Sequence, residues 1–558
     1  MVRLFTRHYK RQTRLLDGLW QFKTDPNRIG ISEEWFKNFP ADSQPIVVPG
    51  CWNHELGLYH YEGAAWYFTE FETESSSINL VFHGFYGQIE VYVDGQQVGS
   101  HYGGFAGYEC LVTGLTPGRH KLAVLTDNTH NNRNTIPLAR VDWFHYGGLF
   151  RSVELMELND VWIKDYKIGY TLAEDYQSAK LQIDVTLQAF GESSQQEVKV
   201  YVNDELLCGE TVTVDHEAEV KLSHVLTDLK LWDPDSPNLY LVRLEIDGDD
   251  LVERIGFRDI KVENGKLLLN NNELKLKGIN RHDDHPDWGF AMPFKLMKKD
   301  LDIIKNLGCN TIRGSHYPNA PVFLDLLDQE GILFWEEIPM WGFREHALAD
   351  PLTHERGLSM HERMVKRDFH HPSIIMWGLH NEVDTRTQAC YNLTKAFADK
   401  IRSLDPSRPL TYASFHPFDD ICFELVDIIS INKYFGWYED ETADWAKFLT
   451  DFKAKLAAAG LGDKPLVISE FGAGALYGEN TFEGQKWSEN FQADYLEYTI
   501  DLFLNDPDLA GMYIWQYCDI RSSKELEMGR PRSFNNKGIV NEYRMPKAAY
   551  WKIKELFS

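Results

Sequence analysis

The chain has 558 residues, 43% of them apolar and 13% aromatic, enough at about 150 residues per domain for three or four cores. Its 84 acidic against 57 basic residues give a net charge of −27, which opposes a nucleic-acid or anionic-membrane partner by long-range repulsion. Seven scattered cysteines, odd in number and without a CxxC pair, argue against a disulfide framework or a zinc site and for reduced thiols in a cytoplasm.

The N-terminal MVRLFTRHYKRQTRLL is basic but lacks the apolar core of a signal peptide, and no run further on reaches the ~18 apolar residues of a membrane span. A soluble, cytoplasmic protein is expected. Residues 1–157 read as short strands: GQIEVYVDGQQVGS alternates Ile89, Val91 and Val93 with polar neighbours and turns at Asp94-Gly95, a strong hairpin signal. AAWYFTEFE, INLVFHG and HKLAVLTDN continue the pattern, and a β-sandwich is predicted. Residues 158–262 repeat it with different spacing in LQIDVTLQAF, VKVYVND and YLVRLEIDG, predicting a second, smaller sandwich.

From residue 263 to 558 short apolar runs alternate with helical periods such as Met297, Leu301, Ile304. Eight strand-like runs (within LKLKGINRH, CNTIRGSH, ILFWEEIP, SIIMWGLHNE, PLTYASF, DIISINKYF, PLVISEFGA and AGMYIWQYCD) predict a (β/α)8 TIM barrel. Active-site groups of such barrels come from the C-terminal strand ends. Those ends read Arg281-His282-Asp283, Arg313 with His316, Glu336-Glu337, Asn381-Glu382, Ser414, Tyr434, Glu470, and Trp515 with Asp519.

Two carboxylates at strands four and seven, Glu382 and Glu470, face each other across the predicted mouth. Glycoside hydrolysis needs such a pair flanking the scissile bond, about 5–5.5 Å apart in retaining enzymes. Glu470 is the expected nucleophile, kept ionised by a hydrogen bond from Tyr434 and by the Arg313 charge. Glu382 is the expected acid, held protonated by burial and the adjacent anion. Its pKa falls once Glu470 becomes an ester, so it then serves as base. A lone Asn-Glu dipeptide would be read as a surface turn; two carboxylates at the right strand ends reverse that.

These motifs resemble glycoside hydrolase family 2, the β-galactosidase, β-mannosidase and β-glucuronidase group. The resemblance runs the whole chain through GINRHDDHP, LGCNTIRGSHYP, the acid/base signature RDFHHPSIIMWGLHNE and the nucleophile strand ISEFGA. It implies a jelly-roll-type sugar-binding sandwich, an immunoglobulin-like sandwich and a catalytic barrel. It also implies no cofactor and no metal, and by analogy a homo-oligomer, dimer or tetramer. His380, before Asn381, departs from the small residue usual in the family.

RSFNNKG near the C-terminus would by itself be a solvated turn. Following strand eight, its Asn535-x-Lys537 resembles the motif with which β-glucuronidases grip the C6 carboxylate, where each charge-assisted bond contributes roughly 1.5–3 kcal/mol. The resemblance further implies substrate contacts from Asp142, His282, Asp283, Asn381, Tyr434, Tyr438 and Trp515. The glucuronidase arginine falls here on Pro531, flanked by Arg530 and Arg532; Arg532 is taken in its place, and the departure keeps a galacturonide in play, with β-galacturonidase or β-galactosidase as the alternatives within the family. The stretch MWGFREHALADPLTHERGLSMHERM between strands three and four is moderate in length and strongly polar, and the mouth is read as comparatively open to bulky conjugates. A non-catalytic sugar-binding protein, and a metal hydrolase built on His282, Asp283, His285 and Glu337, are the remaining readings.

Overall fold

A computed structural model describes residues 2–558. Two sheets form the first sandwich. One has four strands, in the spatial order Thr13–Leu15, Val153–Glu157, Ser77–Phe82, Tyr108–Thr113; the other has six, Gln44–Val48, Gly18–Thr24, Ala64–Thr73, Gly118–Asp127, Gln88–Val93, Gln96–Tyr102. The predicted hairpin is present: Asp94 and Gly95 both take positive φ (49° and 78°), the twist that a two-residue turn needs to match its strands.

A second pair of sheets follows, of three strands (Val161–Leu172, Ser178–Ala189, Glu217–Thr227) and four (Glu205–Val214, Ser194–Val202, Tyr240–Ile246, Asp249–Ile255). Period-two alternation explains its packing. Leu181, Ile183, Val185 and Leu187 are buried, while the residues between them face outward.

The remaining chain closes a parallel barrel of eight strands: β1 Leu276–Asn280, β2 Thr311–Gly314, β3 Leu333–Glu337, β4 Ile374–Asn381, β5 Leu410–Ser414, β6 Ile429–Asn432, β7 Leu466–Phe471 and β8 Leu509–Ile514. Helices cover the outer faces, so the strands are buried on both sides and read as continuous apolar runs. The multidomain architecture of two sheet-rich units and a TIM barrel is therefore as expected.

The polar stretch after β3 is mostly helix, Glu345–Leu348 and Pro351–Asp368, with Asp350 accepting from the amide of Leu352 as N-cap. Met360, Met364 and Val365 supply a buried stripe that the many charges hide from a reading by polarity.

The first sandwich is not a bystander. Its segment around Val141, Trp143, Phe144, Tyr146 and Phe150 is buried in the same apolar cluster as Ile279 and Ile312 of the barrel. Trp143 donates to the Tyr86 hydroxyl and its ring lies 5.7 Å from His282 and 5.5 Å from His316. That packing carries Asp142 to the barrel mouth.

Candidate active site

At the C-terminal ends of β4, β6 and β7 the backbone brings the acidic pair together. Asn432 is in register with Glu470, and the Glu382 amide donates to the carbonyl of Ala413 at 2.9 Å. Glu382 itself takes φ 52°, a left-handed turn that ends the strand and directs the chain away from the barrel.

Arg313, fully buried, links the pair. It donates to Glu470 Oε1 at 2.8 Å through Nη1 and to Asn381 Oδ1 at 2.7 Å through Nη2, while Glu337 takes two more of its hydrogens. Tyr434 donates to the other Glu470 oxygen at 2.7 Å. Asn432 donates to Glu382 Oε1 at 2.9 Å and to Asn381 Oδ1 at 3.1 Å.

The two carboxyls differ in what surrounds them. Burial, and then repulsion from Glu470, push Glu382 up to about 8 against the opposing bond from Asn432. Burial raises Glu470 also, but Arg313 and Tyr434 both oppose it. Only Glu470 has a cation as a direct donor. Between a neutral-amide neighbour and a guanidinium neighbour, the negative charge belongs on Glu470 and the proton on Glu382.

Trp515 is buried and stacks on His316 at 5.2 Å, with His282 against its edge at 5.5 Å. His316 Nδ1 donates to Glu337 Oε1 at 2.6 Å, so its Nε2 presents a lone pair. Burial and Arg313 keep His316 neutral; burial, His316 and Arg313 do the same for His282. The Nε2 atoms of both histidines and Nδ2 of Asn381 are buried without a hydrogen-bond partner among the described residues.

The Asn535-x-Lys537 turn is not a solvated loop. Asn535, Asn536 and Lys537 are 0%, 1% and 2% exposed. A two-residue ladder pairs Phe534–Asn535 with Ile520–Arg521, and Gly538 approaches Asp519 so closely that a Cβ would lie 2.3 Å from its nitrogen. Lys537 Nζ reaches the Tyr438 hydroxyl at 2.5 Å and lies over the Tyr438 and Tyr434 rings at 4.7 and 5.6 Å. Among the described residues it forms no ion pair. Burial would raise the Tyr438 phenol, but Lys537 and Arg530 outweigh it and draw it below its ordinary value.

The two arginines flanking Pro531 point in different directions. Arg532 turns to Glu542 at 2.9 Å and to Asn536 at 2.9 Å. Arg530 instead reaches the mouth, gripping both oxygens of Asp142 at 2.8 and 2.9 Å and bonding the Tyr438 hydroxyl at 3.2 Å. Arg532 takes φ 59° inside a short helical turn, in the left-handed region. Asn535 Nδ2 completes Asp142 at 2.6 Å. Asp283 likewise differs from expectation: Arg281 at 2.6 Å and Arg151 at 3.6 Å take up its carboxylate, making it an ion-pair partner rather than an open acceptor.

Asn432 was missed by the sequence reading, and Arg530 was weighed there but passed over for Arg532. Asn432 is the true end of β6, two residues before the Tyr434 taken for it, and Arg530 flanked the expected position on the other side. His380, the family departure, faces away from the mouth, bonding Thr394 at 2.8 Å and packing on Tyr412. The acceptors of a supposed metal site are engaged by cations or donors, Asp283 by Arg281 and Glu337 by Arg313 and His316.

Residues 260–558 match the model for the TIM barrel domain of glycosyl hydrolases family 2, and residues 161–258 match a second model of glycosyl hydrolases family 2. A β-glucuronidase of Paenibacillus borealis is 27% identical, covering 97% of this chain and 96% of its own. Among solved structures, a β-galacturonidase of Eisenbergiella tayi bound to galacturonate is 34% identical with TM-score 0.92, covering 100% of this chain and 99% of its own. A β-glucuronidase of Ruminococcus gnavus in complex with D-glucaro 1,5-lactone is 27% identical with TM-score 0.88 and the same coverage. The family match over the barrel and the paired carboxylates at its strand ends agree: this chain belongs to glycoside hydrolase family 2.

Proposed function

We propose that the protein is a retaining exo-β-glucuronidase that releases terminal β-D-glucuronic acid by double displacement. Glu470 attacks the anomeric carbon and Glu382 protonates the departing oxygen. With Glu470 esterified, its charge is gone, the pKa of Glu382 falls, and Glu382 deprotonates the incoming water. Asn381 Nδ2, His282 and Trp515 serve the sugar ring, Tyr434 and Arg313 hold the nucleophile, and Asp142, Tyr438, Asn535 and Lys537 form the uronate end, with Arg530 replacing Arg532 there.

The observation that carries the sugar assignment is Lys537: a buried ammonium whose one hydrogen-bond partner among the described residues is a phenol. A buried cation is costly unless an anion meets it. A hexuronate carboxylate supplies that anion, and a neutral hexose does not. In a chain of net charge −27, such a local cation also overcomes the long-range field opposing an acidic sugar.

A β-galacturonidase is the second reading, favoured by the 34% identity to the galacturonate-bound enzyme. Initial rates on p-nitrophenyl β-D-glucuronide, β-D-galacturonide and β-D-galactoside separate them. Fastest turnover of the glucuronide is expected; fastest turnover of the galactoside overturns the uronate reading altogether.

The supporting units are drawn at residues 1–157, 158–262 and 263–558, since the strands from Val161 to Ile255 form sheets of their own. No helix among the described residues is long and apolar enough to cross a membrane. Seven free thiols, six of them buried, support a reducing, cytoplasmic setting, and a homo-oligomer is proposed by family analogy. Fractionation of the native cells and light scattering of the purified protein test these two points.

A further inference from the structure

Lys547 lies ten residues beyond Lys537, directly before the C-terminal helix Ala548–Phe557, and is fully buried. An ammonium has three hydrogens, and here each has an acceptor: the carbonyl of Ala475 at 2.7 Å, Asp519 Oδ1 at 2.8 Å and the carbonyl of Asn536 at 3.2 Å. These acceptors belong to three different segments. Ala475 follows β7, the strand of Glu470; Asp519 follows β8; Asn536 is the middle residue of the Asn535-x-Lys537 turn.

Asp519 Oδ1 closes the loop by accepting the Gly538 amide at 2.9 Å. From the other side Gln492, also fully buried, donates through Nε2 to the carbonyls of Ala473 at 2.8 Å, Gly538 at 3.1 Å and Lys537 at 3.4 Å. Main-chain groups at 536, 537 and 538 are thus all tied to the segment that follows the nucleophile strand. None of the three side chains belongs to the carboxyl pair or to the proposed sugar contacts.

We propose that Lys547, with Asp519 and Gln492, is a positioning residue for uronate recognition: it fixes the Asn535–Gly538 backbone against the Glu470 strand, so that Lys537 is held in place before the sugar arrives. This rests on the reading of Lys537 as the carboxylate grip. A turn ordered in advance loses little freedom on binding, so loosening it weakens the grip rather than the chemistry.

Lys547→Met and Gln492→Met, compared with the parent on the preferred p-nitrophenyl uronide and on the galactoside, test this together with thermal unfolding. KM for the uronide rises roughly three- to tenfold, the range expected when side-chain ordering is added to binding. kcat stays within about threefold, and KM for the galactoside does not move. A folded variant pair with unchanged uronide KM, or with both KM values moving together, overturns the proposal. Should Lys547→Met fail to fold because Asp519 is left unpaired, Lys547→Met/Asp519→Asn removes that charge, and Gln492→Met decides alone. Lys537→Ala is run beside them. If it leaves the uronide preference intact, the uronate reading falls; if it removes the preference while Lys547→Met and Gln492→Met keep the parent KM, only the positioning role falls.

Discussion

Arg313 donates to Glu470 at 2.8 Å and, through its second terminal nitrogen, to Asn381 at 2.7 Å, one residue before Glu382. A single guanidinium therefore places its charge on the nucleophile and holds the side chain next to the acid. Its planar fork holds Glu470 and Asn381 at once, which a lysine's point charge would not do.

Glu382 should control the alkaline limb of activity. With its pKa raised to about 8, the acid form dominates at neutral pH, and kcat/KM declines above about pH 8. Glu382→Gln lowers kcat by roughly 10²–10⁴ on poor leaving groups and removes that limb. Stability follows the same proton. The folded value lies above the ordinary 4.5, so the contribution is full below that value and is lost as pH rises through about 8. Melting curves of parent and Glu382→Gln should accordingly diverge in favour of the variant toward pH 9.

Glu470 should be the residue that becomes esterified. A 2-deoxy-2-fluoro β-uronosyl fluoride slows the second displacement, and peptide mass analysis then finds the adduct on the Glu470 strand. Glu470→Gln retains the melting temperature within a few degrees and loses turnover. An adduct on any other carboxylate would reassign the nucleophile.

Arg530 and Arg532 offer a contrast two residues apart. Arg530→Ala breaks the bidentate grip on Asp142 and the bond to Tyr438, and kcat/KM on the uronide falls about tenfold or more. Arg532→Ala removes the bonds to Glu542 and Asn536 and a long 3.9 Å pairing with Asp519, none of them at the mouth, with activity within about threefold. Steady-state kinetics on both variants checks the assignment, and the reverse ranking restores Arg532.

Much of this was legible in the sequence because barrel strands buried on both faces read as unbroken apolar runs, and their polar ends stand out against them. Glu382, Glu470, Tyr434 and Trp515 were found that way. Where the backbone leaves regular structure the legibility ends. At positions 530–533 two left-handed residues, Arg532 and Ser533, interrupt the regular backbone, and no period encodes which arginine faces the mouth. Asn432 was hidden by a strand end misjudged by two residues. Asp283 carries the right chemistry, but it pairs locally with Arg281, two residues back, and with Arg151, which only the packing of the first sandwich on the barrel brings near. The helix at 351–368 was masked by its own solvent-facing charges.

Lys537→Ala, assayed on the p-nitrophenyl glucuronide and galactoside beside the parent, tests the central claim most directly. The ratio of the two kcat/KM values should drop about ten- to a hundredfold, with the loss confined to the glucuronide, because one charge-assisted bond to a carboxylate is removed. An unchanged ratio, or an equal fall on both sugars, would contradict it.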